Sequence, residues 1–215
     1  MSHSAPDHLL ERMLFFSDAV FAIAITLLII EVHVPELPRG SPAADYGTAL
    51  AHLIPSVVGY VVSFLVIARS WITHHAAFAH SPRFDASLLW PNIQLLMIIA
   101  FMPFATAFLA KNLGAVVPTL VYNVALMIAS LLSVRLVRKA TALGDAGQIY
   151  GPDGLAFLRT RGLGVFFAAL LALLLGLLIP VYSEMALATA PLWVRLLKRR
   201  SQARLGETRQ EMVGG

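Results

Sequence analysis

Hydrophobic and polar positions alternate in long blocks along this chain. The first apolar block runs from Leu9 to Val34, with Arg12, Ser17 and Asp18 near its start and Thr26 at its middle. A helix needs about 20 apolar residues to cross the hydrocarbon core of a bilayer. Blocks of that length recur at about 50–71, 88–109, 116–137 and 163–181, and each predicts a spanning helix. The second can run on to His80, and a shorter sixth block, 185–197, is interrupted by Pro191. Pro35, Pro38, Gly40 and Pro42 end the first block, Ser81-Pro82-Arg83 makes a turn, and Lys111-Asn112-Leu113-Gly114 closes the third. Such residues break helices and start turns. Residues 141–154, rich in Gly and Asp, predict a polar loop. The expected fold is all-α: a polytopic membrane protein with six transmembrane helices per subunit in residues 1–200, and a charged, disordered tail over 201–215.

Composition supports this. The chain is 58% hydrophobic and 13% charged, with mean hydropathy +0.76. An ordinary soluble domain carries about a quarter charged residues. There is no cysteine, which excludes disulfides and thiolate chemistry. The chain is basic, with a pI near 9.8, yet its cations sit between apolar blocks rather than in a nucleic-acid patch. With six crossings and the N-terminus inside, only Arg39 and Lys111 of the 16 Lys and Arg fall in outer loops, leaving 14 inside. That is the positive-inside distribution, and it places both termini in the cytoplasm of a multi-pass plasma-membrane protein. The polar start, Met1 to His8, does not read as a secretory signal. No internal repeat is visible, which disfavours the two-repeat plan of many transporters.

The first block has two faces. Ile23, Thr26, Leu27 and Ile30 are spaced i, i+3, i+4, i+7, and Arg12, Phe16 and Ala19 continue their stripe. Asp18 lies off it, with Ala22, Ile25 and Ile29. Either the stripe packs on neighbouring helices while Thr26 bonds back to its own helix, or it lines a pore as a hydrophobic constriction that gates by dewetting. An intramembrane carboxylate needs a partner. Arg69, His74 and His75 at the end of the second block are the expected partners of Asp18. Adjacent histidines point about 100° apart on a helix, so His74 and His75 do not chelate a metal together. His80 and Asp85 also lack metal-site spacing. Val57-Val58-Gly59-Tyr60-Val61 contains V-G-Y, as potassium-channel filters do. It sits inside an apolar span without a preceding pore helix, and reads as ordinary transmembrane helix. Asn92, Gln94 and Thr106 in the third block read as interhelical glue.

The motif Arg12-x-x-x-Phe16-Ser17-Asp18, followed by Ala-Val-Phe-Ala-Ile-Ala-Ile-Thr-Leu-Leu, closely resembles the first-helix signature of the transmembrane protein 175 family, the lysosomal and prokaryotic potassium channels. Trp71-x-x-His74-His75-x-x-Phe78 is similar to that family's second-helix end, and Asn92 with Pro103-Phe104-x-Thr106 to its third helix. The resemblance is specific through about residue 110. It implies a homotetramer with a central pore lined by the first helix and no T-V-G-Y-G filter. It assigns Ile23, Leu27 and Ile30 to the constriction and Thr26 to selectivity. Arg12, Ser17, Asp18, His74 and His75 become a polar network near the cytoplasmic side. Glu31, one turn beyond Leu27, either attracts cations at the outer mouth or faces a neighbouring helix. The expected function is a potassium-preferring cation leak channel. Its expected partners are itself, the bilayer and permeant potassium near Thr26, with no cofactor, no structural metal and no enzymatic activity. The alternative is a proton- or cation-coupled secondary transporter using Asp18 with His74 or His75.

Overall fold

The computed structural model describes residues 8–79, 84–143 and 146–200, and every regular element among them is helical. The predicted tail, 201–215, lies outside the described residues, as does His80. The long helices are α1 (His8–Ile30), α2 (Ala43–Phe78), α3 (Leu89–Lys111), α4 (Val116–Leu143) and α5 (Ala146–Gly176). A short 3-10 turn, Ala86–Leu88, leads into α3. A second 3-10 segment, Ser183–Thr189, leads into a final helix over 190–200, here α6. Among the described residues, five helices are long and apolar enough to cross a membrane. The sixth predicted span is thus a composite of 3-10 and α-helix, since Pro191 lacks the N–H that a continuous α-helix through it would donate to Leu187.

The helices outrun the apolar blocks. α2 has 36 residues, which at 1.5 Å per residue is about 54 Å, well beyond the roughly 30 Å hydrocarbon core. Its start at Ala43 precedes the predicted one because Asp45 in the first turn suits the helix dipole without adding hydrophobicity. The polar loop expected over 141–154 is not found: α4 continues to Leu143 and α5 begins at Ala146. Polar composition there marks the edge of the apolar layer rather than the end of a helix. The break within α5 is at Gly151, whose φ of 63° lies in the left-handed region that glycine alone adopts freely. Asp85 starts the turn before α3 by accepting from the Ser87 N–H at 2.7 Å. Those bonds favour its ionised form and hold its pKa below the usual carboxylate value.

α3 is the hub, packing on α1, α2 and α4, while α4 and α5 form the most extensive pair. Small residues set the close approaches, as they do where helices pack without a hydrophobic driving force. A Cβ on Gly162 would come within 2.8 Å of Val134, and one on Gly176 within 2.5 Å of Thr119, so α5 runs antiparallel to α4. The final segment returns along α5. Ser183 lies near Gly176, Val194 lies against Gly164, and Lys198 stands over Phe157. Nineteen residues of α5 separate Gly176 from Phe157, about 28 Å of helix. Polar ties close the bundle. Ser63 Oγ is 2.8 Å from Thr106 Oγ1 and 2.9 Å from Tyr122 Oη, joining α2, α3 and α4. Asn123 Nδ2 donates to Glu184 Oε1 at 2.7 Å, joining α4 to the second 3-10 segment.

A Cβ at position 164 would overlap the Val194 side chain and meet the Ala190 carbonyl at 3.0 Å. Gly164→Leu is expected to push α6 off α5 and to cost about 2 kcal/mol or more. A lowered unfolding midpoint in detergent, with protease cleavage appearing around residue 190, is the measurable result. An unchanged midpoint would mean α6 does not dock there.

Candidate functional site

α1 buries one face and leaves the other open. Leu10, Met13, Ser17, Phe21, Ala24 and Leu28 are buried, each three or four residues from the last. That face packs on α2 and α3. The opposite stripe is exposed: Ile23 is 58%, Leu27 41% and Ile30 66% accessible, with Phe16 beside them. The stripe therefore does not pack within the chain. Thr26 lies on it, and its hydroxyl donates to the Ile23 carbonyl at 2.9 Å, the i−3 rather than the i−4 position. Its oxygen still offers a lone pair outward.

Ser17 and Asp18 are neighbours in sequence but belong to separate networks. Ser17 is fully buried, and its hydroxyl donates to the Met13 carbonyl at 2.8 Å. It accepts from Asn92 Nδ2 at 2.8 Å, and Asn92 Oδ1 lies 2.8 Å from His74 Nε2. This pairing requires the His74 proton on Nε2, because an amide oxygen only accepts. Phe21 and Phe78 flank the imidazole, with ring centroids 5.6 and 4.8 Å away. One continuous chain thus joins α1, α3 and α2 within the buried interior.

Asp18 turns the other way. Its Oδ1 accepts from the Trp71 indole N–H at 2.8 Å. Trp71 in turn lies against His75, ring centroids 5.7 Å apart. The expected partners of Asp18 were Arg69 or a histidine, and among the described residues neither bonds it. The difference is one of rotation. On α2, Trp71 is 37% exposed and reaches Asp18 at the edge of the helix, whereas His74 is buried. Arg12 is exposed and takes no part in either network among the described residues. Because the Asp18–Trp71 bond is at the surface, Trp71→Phe is expected to cost at most about 1 kcal/mol in a detergent unfolding titration. A loss of several kcal/mol would give this bond a buried, structural role instead.

Just past the C-terminal end of α1, Glu31 pairs with Lys111, 3.6 Å apart. The carboxylate is thus offset by a cation within the same chain. Among the described residues no cluster of three or more His, Asp or Glu is placed to hold a metal ion. The sequence did not single out Asn123 and Glu184, although an amide and an acid beside apolar blocks are the available signal.

The comparisons with known proteins meet this geometry at α1–α3. Residues 12–103 match the family model described as endosomal/lysosomal potassium channel TMEM175. A crystal structure of a lysosomal potassium-selective channel TMEM175 homolog from Chamaesiphon minutus superposes with a TM-score of 0.70 at 27% identity, covering 91% of this chain and 99% of that one. Over α1–α3 this chain is similar to the TMEM175 family. A potassium channel of Streptomyces collinus is 44% identical over 106 residues, 47% of this chain and 48% of that one. The human endosomal/lysosomal proton channel TMEM175 is 30% identical over 95 residues, 44% of this chain and 18% of that one. The chain thus aligns with about half the length of the bacterial potassium channel. Five long apolar helices among the described residues, together with these relatives, make this chain a multi-pass membrane protein.

Proposed function

We propose that this protein is a subunit of a potassium-preferring cation leak channel in the plasma membrane, conducting along the exposed stripe of α1. The observation that carries this reading is the split of α1 into a buried face and an exposed face of Ile23, Thr26, Leu27 and Ile30. Copies arranged around an axis, four by the family reading, would turn that stripe inward. Rings of Ile23, Leu27 and Ile30 would form the constriction, and four Thr26 hydroxyls would replace part of the ion's hydration. A ring without charge selects through dehydration cost and discriminates modestly, with no T-V-G-Y-G filter. No cofactor is needed, and the ion itself is the ligand near Thr26. The antiparallel return of residues 183–200 along α5 supports a sixth crossing. With six, the chain's cations gather on the cytoplasmic side, as do both termini. Relatives named as potassium channels support the choice of ion.

The coupled-transporter alternative loses support, because no hydrogen bond joins Asp18 to His74 or His75 among the described residues. The test is reconstitution in liposomes under a potassium gradient, with potassium and proton fluxes followed separately through selective ionophores. Potassium flux that is electrogenic and does not saturate is the expected result. Proton flux without potassium permeability, or saturable pH-coupled uptake, would overturn the reading. Native mass spectrometry of the detergent complex should return a tetramer.

A further inference from the structure

Four basic side chains gather where α2, α5 and α6 meet, away from α1 and its stripe. Arg69, Arg195 and Lys198 line a cavity of about 390 Å³, with Phe157, Val165 and Val194 as apolar wall. A second cavity of about 40 Å³ lies beside it, sharing Arg69 and Val165 and reaching Ser70 and Arg161. No carboxylate lines either one. Arg161 Nε and Ser70 Oγ are both buried without a hydrogen-bond partner among the described residues. Lys198 is held over the Phe157 ring at 5.5 Å, which fixes its ammonium at the cavity wall.

Arg69 and Arg161 line the smaller cavity together and repel each other, and the buried Arg161 Nε has no acceptor among the described residues. The acceptor must be anionic, since three or four cations stand unneutralised around it. It must also be amphipathic, since half the wall is apolar. The larger cavity falls in the size range of small-ligand sites. Arg69 lies nine residues, about 13 Å, before the end of α2, and Arg161 ten residues, about 15 Å, beyond the Gly151 break in α5. Both therefore stand near one level, on the side where the chain's cations concentrate. Basic pockets between transmembrane helices at that level suit lipid headgroups.

We propose that Arg69, Arg161, Arg195 and Lys198 form a binding site for the phosphate of an anionic phospholipid, whose acyl chains lie along Phe157, Val165 and Val194. Guanidiniums bind phosphate oxygens as bidentate forks. A zwitterionic headgroup would bring its own ammonium into the same cationic field and be disfavoured. The site is independent of the conduction path, so it stands or falls apart from the channel reading.

The test is native mass spectrometry of the full chain, delipidated in detergent and titrated with dioleoylphosphatidylglycerol, dioleoylphosphatidylcholine or inorganic phosphate. Phosphatidylglycerol is expected to bind at least about tenfold more tightly than phosphatidylcholine, as lost charge-assisted hydrogen bonds are commonly worth that factor. The exposed pair Arg195→Gln/Lys198→Gln should weaken phosphatidylglycerol binding about tenfold or more and leave phosphatidylcholine unchanged. Arg161→Gln should do the same from the buried side, and Arg138→Gln, outside both cavities, should do nothing. Equal phosphatidylglycerol affinity in the wild type and the Arg195/Lys198 double variant would overturn the site, since those exposed changes leave the fold intact. Millimolar inorganic phosphate displacing the lipid at equal affinity would overturn the lipid as its occupant.

Discussion

Replacing Ile23 by asparagine is expected to raise potassium flux in liposomes at least about tenfold and to reduce discrimination among monovalent cations. Ile23 is exposed on the α1 stripe, and in the proposed tetramer a ring of four would present only methyl and methylene groups to an ion. Such a ring offers no oxygen to replace lost hydration, and the cost of partial dehydration sets the barrier. An amide oxygen in each copy lowers that cost. A gain of about 0.35 kcal/mol per copy sums over four copies to about 1.4 kcal/mol, which is a factor of ten in rate. The substitution adds no buried polar group within the subunit, so folding should be unaffected. Unchanged flux and selectivity in a well-folded tetramer would remove the stripe from the conduction path.

Asn92→Leu should be the most damaging conservative-sized change in the bundle, lowering stability by about 2–3 kcal/mol. Asn92 is 1% exposed and is the only link between Ser17 on α1 and His74 on α2 among the described residues. Leucine fills a similar volume but leaves the Ser17 hydroxyl without a donor and the His74 Nε2 proton without an acceptor. In a water-referenced fold each such loss costs about 1–3 kcal/mol. Between membrane helices the average bond is worth about 0.6 kcal/mol and the best about 1.7, because the unfolded helices also find partners. Two bonds plus two stranded groups therefore fall near the middle of those limits. An unfolding titration in mixed detergent micelles would measure it. A loss below about 0.5 kcal/mol would show that Phe21, Phe78 and the surrounding packing hold the helices without the polar chain.

The same titration applied to Trp71→Phe makes the contrast useful, since that bond has similar length but an exposed setting. Depth rather than distance separates the two predictions.

The spans and the stripe of Ile23, Thr26, Leu27 and Ile30 were legible in the sequence because both are local; the face that is buried, Leu10, Met13, Ser17, Phe21, Ala24 and Leu28, was not named from it. A run of apolar residues and a 3.6-residue period need no knowledge of neighbours. Burial of Leu10, Met13, Phe21 and Leu28 against exposure of Ile23, Leu27 and Ile30 follows that period. Helix ends were less legible. Hydropathy reads the edge of the bilayer, and α2 and α4 continue past it. The partner of Asp18 was not legible at all, because Trp71 lies 53 residues away and its selection over Arg69 or a histidine depends on how α2 is rotated. Charge complementarity pointed to the cations, while the geometry supplied a neutral donor. The partner of Glu31 was not legible for the same reason: Lys111 reaches it only because α3 ends beside α1. The basic cavity is likewise assembled from three helices and has no linear motif.

The split of Ser17 and Asp18 has a mechanical consequence. Two consecutive residues, about 100° apart around α1, are bonded to Asn92 on α3 and to Trp71 on α2. Spinning α1 about its own axis by even a fraction of that angle would stretch both bonds at once. Its free coordinates are those shared with its neighbours. Any dilation of an axial opening should therefore proceed as a lever-like swing of the α1–α2–α3 block, with the helices keeping their faces as they move.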